Sequence, residues 1–391
     1  MALSKHKAII FVVLMGIISM FADVTYEGAR SITGPYLRTL GANAAIVGFV
    51  AGLGEFLGYG LRLLSGYFVD RTERYWLMAI IGYVINLLSV PMLSLTGSWQ
   101  FASGLIVAER VGKGIRNPAR DAMLSYAGER MGMGWGFGLH EALDKFGAML
   151  GPLLIALILF YHTSYQASFA YLFVPAFVAL MVLAIARFYF PHPQHLAVTL
   201  PVASVSLKKH STFWLYLMGA AFIAMGYADF PLIAYHFANV KLFLPVIIPI
   251  TYAMAMGINV IAAPVIGRWY DVKGFPILII VSIISCFSPL LLFMGNEISA
   301  LIGIALWGIG IGTQETLMRS IIGNMVGHKT RGMAYGIFNA GFGLFWFFGS
   351  AIMGILYDYS PSYLVIFSIA AQILALPLLW KVKNNLMKNP K

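Results

Sequence analysis

Long apolar segments, each of about 20 residues, follow one another along the whole sequence and are separated by short polar turns. A helix of that length crosses the hydrocarbon core of a bilayer, whereas a surface helix of a soluble protein alternates apolar and charged faces. Only 10% of the residues are charged and 60% are hydrophobic, against about a quarter charged in an ordinary soluble domain. The sequence therefore predicts an all-α polytopic membrane protein.

Twelve such apolar segments are predicted, which we number spans 1 to 12. They cover residues 8–30, 44–68, 76–96, 100–125, 133–158, 167–189, 212–237, 243–268, 275–294, 299–325, 332–356 and 361–380. A span with its turn takes about 30 residues, so a chain of 391 residues accommodates this number. Span 1 follows Lys5 and Lys7 without a small-residue cleavage site, and we expect it to be retained.

The basic residues are distributed unevenly over the predicted loops. With the N-terminus inside, 16 of the 26 Lys and Arg fall on the inner side, 2 on the outer side and the rest within spans. The inner residues are Lys5, Lys7, Arg71, Arg74, Arg130, Arg187, Lys208, Lys209, Arg268, Lys273, Lys329, Arg331, Lys381, Lys383, Lys388 and Lys391, and the outer residues are Arg38 and Lys241. Because cytoplasmic loops carry the excess of Lys and Arg, we expect a multi-pass protein of the plasma (inner) membrane with both termini in the cytoplasm.

The longest polar stretch, residues 191–210, separates six spans from six. We expect residues 1–190 to form an N-terminal six-helix bundle, residues 191–210 a cytoplasmic linker and residues 211–391 a C-terminal six-helix bundle. A shift of 198 residues without a gap also aligns five pairs of glycines, more than a chance register would align. The pairs are Gly112 and Gly310, Gly114 and Gly312, Gly134 and Gly332, Gly138 and Gly336, and Gly151 and Gly349. This register favours an internal duplication of the parallel type.

The sequence contains no catalytic or metal-binding constellation. The single cysteine, Cys286, lies in an apolar run, which excludes a disulfide framework and a cysteine-based metal site. A phosphate-binding loop, an HExxH pair and a transmembrane serine motif are all missing. The net charge of +11 reports basic cytoplasmic loops rather than nucleic-acid binding. We therefore expect no enzymatic activity, no cofactor, no metal and no nucleic-acid partner.

Two loops repeat a pattern of glycine, acid and base. The loop after span 2 reads GYFVDRTERYW, and the loop after span 8 reads GRWYDVKG. Their residues are Gly66, Asp70, Arg71 and Arg74 in the first copy and Gly267, Asp271 and Gly274 in the second. On these motifs the chain resembles the major facilitator superfamily across its full length, although Glu73 replaces the usual second glycine of the first copy. The resemblance implies a gating role for both loops, because an acid there can cap a neighbouring helix and pair with arginine.

Spans 4 and 5 carry two further motifs that resemble this superfamily. Arg110 and Gly114 match its intramembrane arginine motif. Gly147, Gly151 and Pro152 resemble the pattern associated with antiporters, without its closing glycine pair. The resemblance implies twelve transmembrane helices in two pseudo-symmetric six-helix bundles, and it gives these three residues of span 5 a gating role. Close packing and kinking is the alternative role for glycine and proline in a membrane helix.

Ionisable residues lie inside several spans, where each costs a few kcal/mol unless it faces protein or water. Helical spacing puts Asp23, Glu27 and Arg30 on one stripe of span 1, where Glu27 and Arg30 are close enough to pair. The other spans contain Glu55, Arg62, Glu109, Arg110, Lys113, Arg116, Arg120, Asp121, Glu141, Asp144, Lys145, Asp229, His236, Glu315 and Arg319. The resemblance places these spans around a central cavity. Spans 3, 6, 9 and 12, which it places outside, carry no ionisable residue away from their ends.

Three roles are assigned to these side chains. The candidates for proton coupling are Asp23, Glu27 and Arg110, with Arg110 as the counter-charge of a carboxylate near the bilayer centre. The candidates for substrate binding are Arg30, Lys113, Glu141, Asp144, Lys145, Asp229, Glu315, Arg319 and Asn339. The candidates for gating are Gly66, Asp70, Arg71, Arg74, Gly267, Asp271, Gly147, Gly151 and Pro152. Arg116, Arg120 and Asp121 are expected near the cytoplasmic end, with a gating or structural role.

These features favour a proton-coupled secondary transporter of a small organic solute that works as a monomer by alternating access and exports its solute by antiport. An importer or exchanger of an anionic metabolite is the alternative, because Arg30, Arg110, Lys113 and Lys145 are suited to clamp a carboxylate or phosphate. A non-transporting receptor or lipid scramblase on the same fold is a third reading. For each single charged residue, a permanent salt bridge that never titrates is the alternative to a role in coupling.

Overall fold

The structure, a computed structural model, describes residues 5–196, 211–325 and 331–388. In that part of the chain it contains α-helices and two short 3-10 helices, Leu93–Leu95 and Pro193–Leu196, and no β-strand. The α-helices are α1 (Lys5–Thr39), α2 (Ala44–Thr72), α3 (Tyr75–Met92), α4 (Trp99–Met131), α5 (Met133–His162), α6 (Tyr165–Tyr171), α7 (Phe173–Tyr189), α8 (Ser211–Met225), α9 (Phe230–Asn239), α10 (Ile247–Lys273), α11 (Pro276–Ser285), α12 (Ser288–Met294), α13 (Glu297–Met325), α14 (Arg331–Tyr359) and α15 (Pro361–Lys388). The predicted all-α polytopic fold class is confirmed. Positions 197–210 of the predicted linker lie outside the described residues.

Each predicted span coincides with one helix or with two consecutive helices. Spans 6, 7 and 9 are divided, into α6 and α7, α8 and α9, and α11 and α12. The second helix of spans 7 and 9 has a proline in its first turn, Pro231 and Pro289 respectively. Proline fits a first turn but lacks the N–H that would continue the preceding helix. These two breaks therefore have a local cause in the sequence.

Helix α4 differs from the other spans in its charge. Eleven helices or helix pairs of the described chain are long and apolar enough to cross a membrane, and α4 is not among them. Its middle contains six ionisable residues: Glu109, Arg110, Lys113, Arg116, Arg120 and Asp121. Glu109, Arg110 and Arg116 are nevertheless buried inside the protein. Burial against other helices, rather than apolar composition, therefore allows α4 to lie in a membrane.

The chain forms two compact units. The first contains the described residues of Met1–Thr33, Leu61–Pro201 and Pro245–Ala253. The second contains the described residues of Gly34–Gly60, Val202–Leu244 and Met254–Lys391. Most of each unit comes from one predicted half of the chain. The C-terminal part of α1 and the N-terminal part of α2, however, belong to the second unit, and the first turns of α10 belong to the first.

Glycines bring helices into close contact inside the first unit. A Cβ atom built on Gly151 of α5 would lie 2.5 Å from the carbonyl oxygen of Val24 and 2.8 Å from the backbone nitrogen of Gly28, both on α1. A Cβ on Gly112 of α4 would likewise overlap the backbone of Asn86 on α3. Any larger side chain would force these helices apart.

One of these contacts is repeated in the second unit at the position that the 198-residue register pairs. Gly349 on α14, the partner of Gly151, lies against the backbone of Met225 on α8 so closely that a Cβ would overlap it. Gly310 on α13, the partner of Gly112, instead packs against the side chains of Tyr227 and Ser285. Gly151 and Gly349 therefore have equivalent packing roles, whereas Gly112 and Gly310 do not.

Candidate functional site

Helix α1 carries two buried carboxyl groups next to its midpoint. Asp23 is 3% exposed and Glu27 is 7% exposed. Four groups act on the Asp23 carboxyl electrostatically or by hydrogen bonding, and together with Asp23 we call them the central cluster: Tyr26, Glu27, Lys113 and Asp144. The cluster combines three carboxyl groups with one ammonium group, and three helices, α1, α4 and α5, supply it.

Glu27 is held by three partners. The hydroxyl of Tyr252 on α10 donates a hydrogen bond of 2.5 Å to its Oε2. The ammonium Nζ of Lys113 lies 3.8 Å from its Oε1, and Nη1 of Arg30 lies 4.0 Å from Oε2, which confirms the predicted pairing of Glu27 with Arg30. Both ion pairs are long and mostly shielded from solvent, so the hydrogen bond from Tyr252 is the tightest contact of this carboxylate.

Asp23 and Asp144 each have one carboxyl oxygen without a partner. The Oδ1 atom of each is buried and accepts no hydrogen bond from any described residue. Burying a carboxylate oxygen without a donor costs free energy, and a membrane interior supplies no water to compensate. Asp23 does receive a hydrogen bond from Tyr26 and the charge of Lys113, so its deficit lies at Oδ1.

Lys113 is positioned by an aromatic ring as well as by Glu27. Its Nζ lies 3.9 Å from the centroid of the Tyr26 ring. A cation over a tyrosine face is attracted by the negative face of the ring, and the attraction is stronger when both groups are desolvated. Tyr26 and Glu27 are neighbours on α1, so this helix holds the ammonium group of Lys113 by two contacts.

Arg110, the predicted counter-charge of Asp23, is an ion-pair partner of its neighbour Glu109 at 3.2 Å. The Nδ2 atom of Asn86 on α3 donates hydrogen bonds to both Oε1 and the carbonyl oxygen of Glu109, at 2.7 and 3.1 Å. Among the bases of α4 and α5, it is Lys113 whose charge acts most on Asp23. The structure thus gives the larger electrostatic role beside Asp23 to Lys113, which sequence reasoning assigned to substrate binding.

Arg116, for which the sequence predicts a gating or structural role, is completely buried near the midpoint of α4. Its guanidinium carbon lies 4.3 Å from the ring centroid of Tyr83 and 5.7 Å from that of Tyr26. None of its three nitrogens has a hydrogen-bond acceptor among the described residues. The sequence does indicate that Arg116 faces the same side of α4 as Glu109 and Lys113, because the three residues lie on one helical stripe.

A second cluster of polar side chains lies on α4 about one turn after Arg116. Arg120 pairs with Asp121 at 2.9 Å and donates through Nη1 to the hydroxyl of Ser19 at 3.4 Å. The same hydroxyl is 2.8 Å from Nε2 of His140 on α5. These contacts tie α1, α4 and α5 together. Glu141 and Lys145, also on α5, form an ion pair with each other at 3.9 Å.

The second unit has a buried carboxylate at the break between α8 and α9. Oδ2 of Asp229 accepts hydrogen bonds from the indole nitrogen of Trp346 at 3.0 Å and from the hydroxyl of Ser350 at 2.6 Å, both on α14. Glu315 on α13 accepts a hydrogen bond of 3.1 Å from Asn259 on α10. Asn339 is half-buried, and the side chain of Arg319 lies outside the described part of the chain.

The antiporter-like residues of α5 line its contact with α1. Gly147 approaches the backbone of Met20 so closely that a Cβ would overlap its carbonyl group, and Gly151 approaches Val24 and Gly28 as described above. Pro152 follows inside the same helix. This close packing holds α5 against the turns of α1 that carry Asp23 and Glu27.

The two repeated loops have the same backbone conformation at equivalent positions. Glu73 has φ of 54° and Gly274 has φ of 71°, both in the left-handed region. The glycine pattern of this loop thus reflects a backbone requirement, which Glu73 meets at a cost. Near it, Arg71 donates to the hydroxyl of Tyr67 at 2.8 Å. Gly66 and Gly267 make ordinary van der Waals contacts with α4 and α13 respectively.

Polar and glycine contacts also join α2 to α14 inside the second unit. The two carboxylate oxygens of Asp358 accept hydrogen bonds of 3.0 Å each from the backbone N–H groups of Ala44 and Ala45, in the first turn of α2. A Cβ built on Gly48 would overlap the carbonyl oxygen of Ser350. Because the N-terminus of a helix is positive and its first N–H groups lack partners, Asp358 stabilises this end of α2.

These features define a polytopic membrane protein with buried ionisable residues near the middle of its helices, which is the arrangement of a membrane transporter. No group of three or more His, Cys, Asp or Glu that could hold a metal is found within the described ranges. Residues 10–318 match the profile of the Major Facilitator Superfamily. The chain belongs to this family, whose members are transporters and not enzymes.

Relatives and solved structures agree with this family. An uncharacterized protein of Mycobacterium tuberculosis is 37% identical over 379 residues, which cover 95% of this chain and 93% of the relative. An uncharacterized MFS-type transporter of Methanocaldococcus jannaschii is 29% identical over 371 residues, which cover 90% of this chain and 89% of the relative.

The fold is similar to those of crystallised transporters. The nucleoside transporter NupG gives a TM-score of 0.73 at 14% identity and covers 95% of this chain and 98% of its own. A bacterial homolog of the human lysosomal transporter Spinster, crystallised in an inward-facing and unoccupied conformation, gives a TM-score of 0.76 at 12% identity and covers 100% of both chains.

Proposed function

We propose that the protein is a proton-coupled secondary transporter of a small organic solute, which it exports by antiport through alternating access. The proposal rests mainly on the buried Oδ1 atom of Asp23, which has no hydrogen-bond partner in the described chain. A carboxyl group in this situation can hold a proton when it is enclosed and release it when its surroundings change. Coupling sites of this fold lie near the bilayer midplane, where the middle of α1 is expected.

Asp23 is the first candidate for the coupling residue and Glu27 the second. The contacts support this order, because Glu27 is compensated by Tyr252, Lys113 and Arg30. Those three partners hold the Glu27 carboxylate in place. Asp23 has a hydrogen bond from Tyr26 and the nearby charge of Lys113, but its Oδ1 has no donor, and a proton is the simplest means of removing the charge from that oxygen.

The solute is proposed to bind beside the central cluster. Lys113 and Asp144 belong to that cluster, which supports them as substrate-binding residues. Arg30, Glu141, Lys145, Asp229, Glu315, Arg319 and Asn339 stay predictions. Asp229 is engaged by Trp346 and Ser350, so its contribution to binding would require those hydrogen bonds to be exchanged.

Gating is proposed at both ends of α2. At its C-terminal end we propose a gate on the cytoplasmic side. It contains Asp70 and Arg71 in the last turn of α2, Arg74 just before α3, and Asp271 in the last turn of α10. At its N-terminal end Asp358 holds the first turn of α2, and we propose that this contact closes the outer side. Release of one contact as the other forms would give the two states that alternating access requires.

The remaining sequence-based expectations are carried forward as part of the proposal. The protein is placed in the plasma (inner) membrane with both termini in the cytoplasm, because basic residues are concentrated in the loops on that side. It is proposed to work as a monomer of two six-helix bundles, residues 1–190 and 211–391, joined by a linker at 191–210.

The function is tested with purified protein in liposomes that contain a pH-sensitive dye. Chemically diverse cations, anions, sugars and drugs are added in turn, and the internal pH is followed. Proton movement opposite to the solute establishes antiport. Proton movement in the same direction, with an anionic metabolite, establishes the alternative of proton-coupled uptake. Solute flux without proton movement overturns proton coupling.

A parallel assay tests the non-transporting alternative. Fluorescent lipids are placed in both leaflets of the same liposomes, and a membrane-impermeant quencher is added. Lipid exchange between leaflets, together with no solute flux for any compound, would replace the transporter proposal with a lipid scramblase.

A further inference from the structure

Arg116 is a buried cation whose donors are unused. It is completely enclosed, and none of Nε, Nη1 and Nη2 has a hydrogen-bond acceptor among the described residues. A guanidinium group carries five N–H donors and stays charged at any physiological pH. A buried charge without a partner is strongly unfavourable, so a fixed charge of this kind is expected to have a partner in another state of the protein.

The rings around Arg116 attract its charge but leave its donors free. The guanidinium carbon lies 4.3 Å from the centroid of the Tyr83 ring and 5.7 Å from that of Tyr26. Gly82 makes the first contact possible, because α3 approaches α4 so closely there that a Cβ would lie 2.6 Å from Cβ of Arg116. Ring faces accept no conventional N–H hydrogen bonds, so this packing holds the cation without satisfying it.

Asp23 on α1 has a hydrogen-bond acceptor that lacks a donor. Oδ1 of Asp23 is buried and accepts no hydrogen bond from any described residue. Asp23 acts electrostatically on Arg116, and both side chains interact with Tyr26. A donor-rich cation and an acceptor-rich carboxyl group therefore share a neighbour, near the midpoints of α4 and α1 respectively, without being hydrogen-bonded to each other.

We propose that Arg116 is the positioning residue that receives the Asp23 carboxylate when Asp23 releases its proton. In the conformation described here Asp23 is enclosed, with a hydrogen bond from Tyr26 but no donor to its Oδ1. In the deprotonated state its Oδ1 takes the N–H donors of Arg116 as partners, in place of the guanidinium contact with Tyr26. The O–H bond of Asp23 breaks and its proton passes to water on the side to which the site is open; no other covalent bond changes, and the charge that appears on Asp23 is neutralised by a cation already present.

This inference rests on the proposed function, since it assigns the counter-charge of the proposed coupling residue. It adds Arg116 to Lys113, whose charge already acts on Asp23, in the role that the sequence predicts for Arg110, which is paired with Glu109. Other charged and titratable groups also face the pair. They are Tyr26 and Glu27 on α1, Tyr83 on α3, Lys113 and Arg120 on α4, and Asp144 on α5.

The pairing is tested by infrared spectroscopy of the protein in liposomes, which needs no identified solute. The C=O stretching band of protonated carboxyl groups is recorded as a function of pH for the unmodified protein and for Asp23→Asn. The part of the band that disappears in Asp23→Asn belongs to Asp23, and the pH at which it is half lost is then measured in Arg116→Gln. We expect that half-point to rise by about one pH unit or more, because the compensating charge is missing.

Two further variants make the test specific. Arg116→Lys keeps a positive charge without the planar fork, and we expect a smaller rise than in Arg116→Gln. Arg187→Gln removes an exposed arginine that bonds the carbonyl oxygen of Pro191, and we expect the half-point of the unmodified protein. A purely structural role of Arg116 would lower the unfolding temperature and leave the half-point unchanged.

The outcomes separate the two proposals. An Asp23 band whose half-point is the same with and without Arg116 overturns the pairing and leaves the proposed function intact. If Arg116→Gln does not fold, as judged by size-exclusion chromatography, the same comparison with Arg116→Lys decides, and an unchanged half-point there also overturns the pairing. If Asp23→Asn removes no part of the band, the coupling assignment is wrong and the pairing falls with it.

Discussion

The hydroxyl of Tyr252 donates a hydrogen bond of 2.5 Å to Oε2 of Glu27, across 225 positions of sequence. Both side chains are buried, and the bond fixes the first turns of α10 to the middle of α1 within one compact unit. A buried hydrogen bond to a charged acceptor contributes about 1.5–3 kcal/mol. This contact is therefore expected to be one of the strongest single constraints on the Glu27 carboxylate.

Replacing Tyr252 by phenylalanine removes this donor and keeps the ring. We expect Tyr252→Phe to lower the free energy of unfolding by about 1.5–3 kcal/mol, because Glu27 keeps only its two longer ion pairs. The measurement is thermal unfolding in detergent. Tyr359→Phe, at an exposed tyrosine, is the matched control and should leave the unfolding temperature unchanged. Equal unfolding temperatures for the two variants would contradict the role given to this bond.

The contact between Asp358 and the first turn of α2 is expected to control closure of that end. Asp358→Asn removes the negative charge that faces the helix N-terminus, at a cost of about 1 kcal/mol, roughly a five-fold change in a two-state equilibrium. Spin labels at Thr39 and Ser360 report the separation of these helix ends. We expect longer distances to be more populated in Asp358→Asn than in the control Glu297→Gln, an exposed acid on α13. Identical distance distributions would show that Asp358 does not hold this contact.

The glycine contact between α5 and α1 is expected to tolerate no side chain. Gly151→Ala places a methyl group 2.5 Å from the carbonyl oxygen of Val24, so we expect a loss of about 1–3 kcal/mol in stability and a displaced α1. Gly138→Ala is the control on the same helix, because nothing lies within 4 Å of the added carbon. Thermal unfolding of both variants checks the prediction, which fails if Gly151→Ala is as stable as Gly138→Ala.

The repeated loops provide a test of backbone strain. Gly274 has φ of 71°, so Gly274→Ala is expected to cost about 1–2 kcal/mol, whereas Gly104→Ala, inside α4 with open space around it, is expected to be neutral or stabilising. Chemical denaturation of the two variants gives the difference directly. A Gly274→Ala variant as stable as Gly104→Ala would show that the loop does not require the left-handed conformation.

The sequence predicts the helices well because their signal is local. Eleven of the spans are clearly apolar, with α4 as the exception, and the prolines and loop motifs that limit several of them are also read within a few positions. The 198-residue register even predicts a packing relationship, since Gly151 and Gly349 approach the equivalent helices α1 and α8. Backbone contacts of this kind require a residue without a side chain, and glycine can be identified directly from the sequence.

The sequence predicts the partners of the charged side chains less completely, because residues far apart in sequence can form these contacts. Helical spacing predicts the pairing of Glu27 with Arg30, but nothing near Glu27 in sequence points to Tyr252. The motif predicts Arg110 as the counter-charge of Asp23, but it does not predict the ion pair that Arg110 forms with the adjacent Glu109. The burial of Arg116 depends on how closely Gly82 lets α3 approach, a distance that no spacing rule contains.

The central claim is that protonation of Asp23 couples proton movement to solute movement. It is tested most directly in liposomes, with a compound that moves protons in the dye assay, by comparing the unmodified protein, Asp23→Asn and Glu297→Gln. We predict that Asp23→Asn loses solute movement driven by a pH gradient but keeps exchange of labelled for unlabelled solute, while Glu297→Gln keeps both. A correctly folded Asp23→Asn variant that pumps solute at the rate of the unmodified protein would contradict the account.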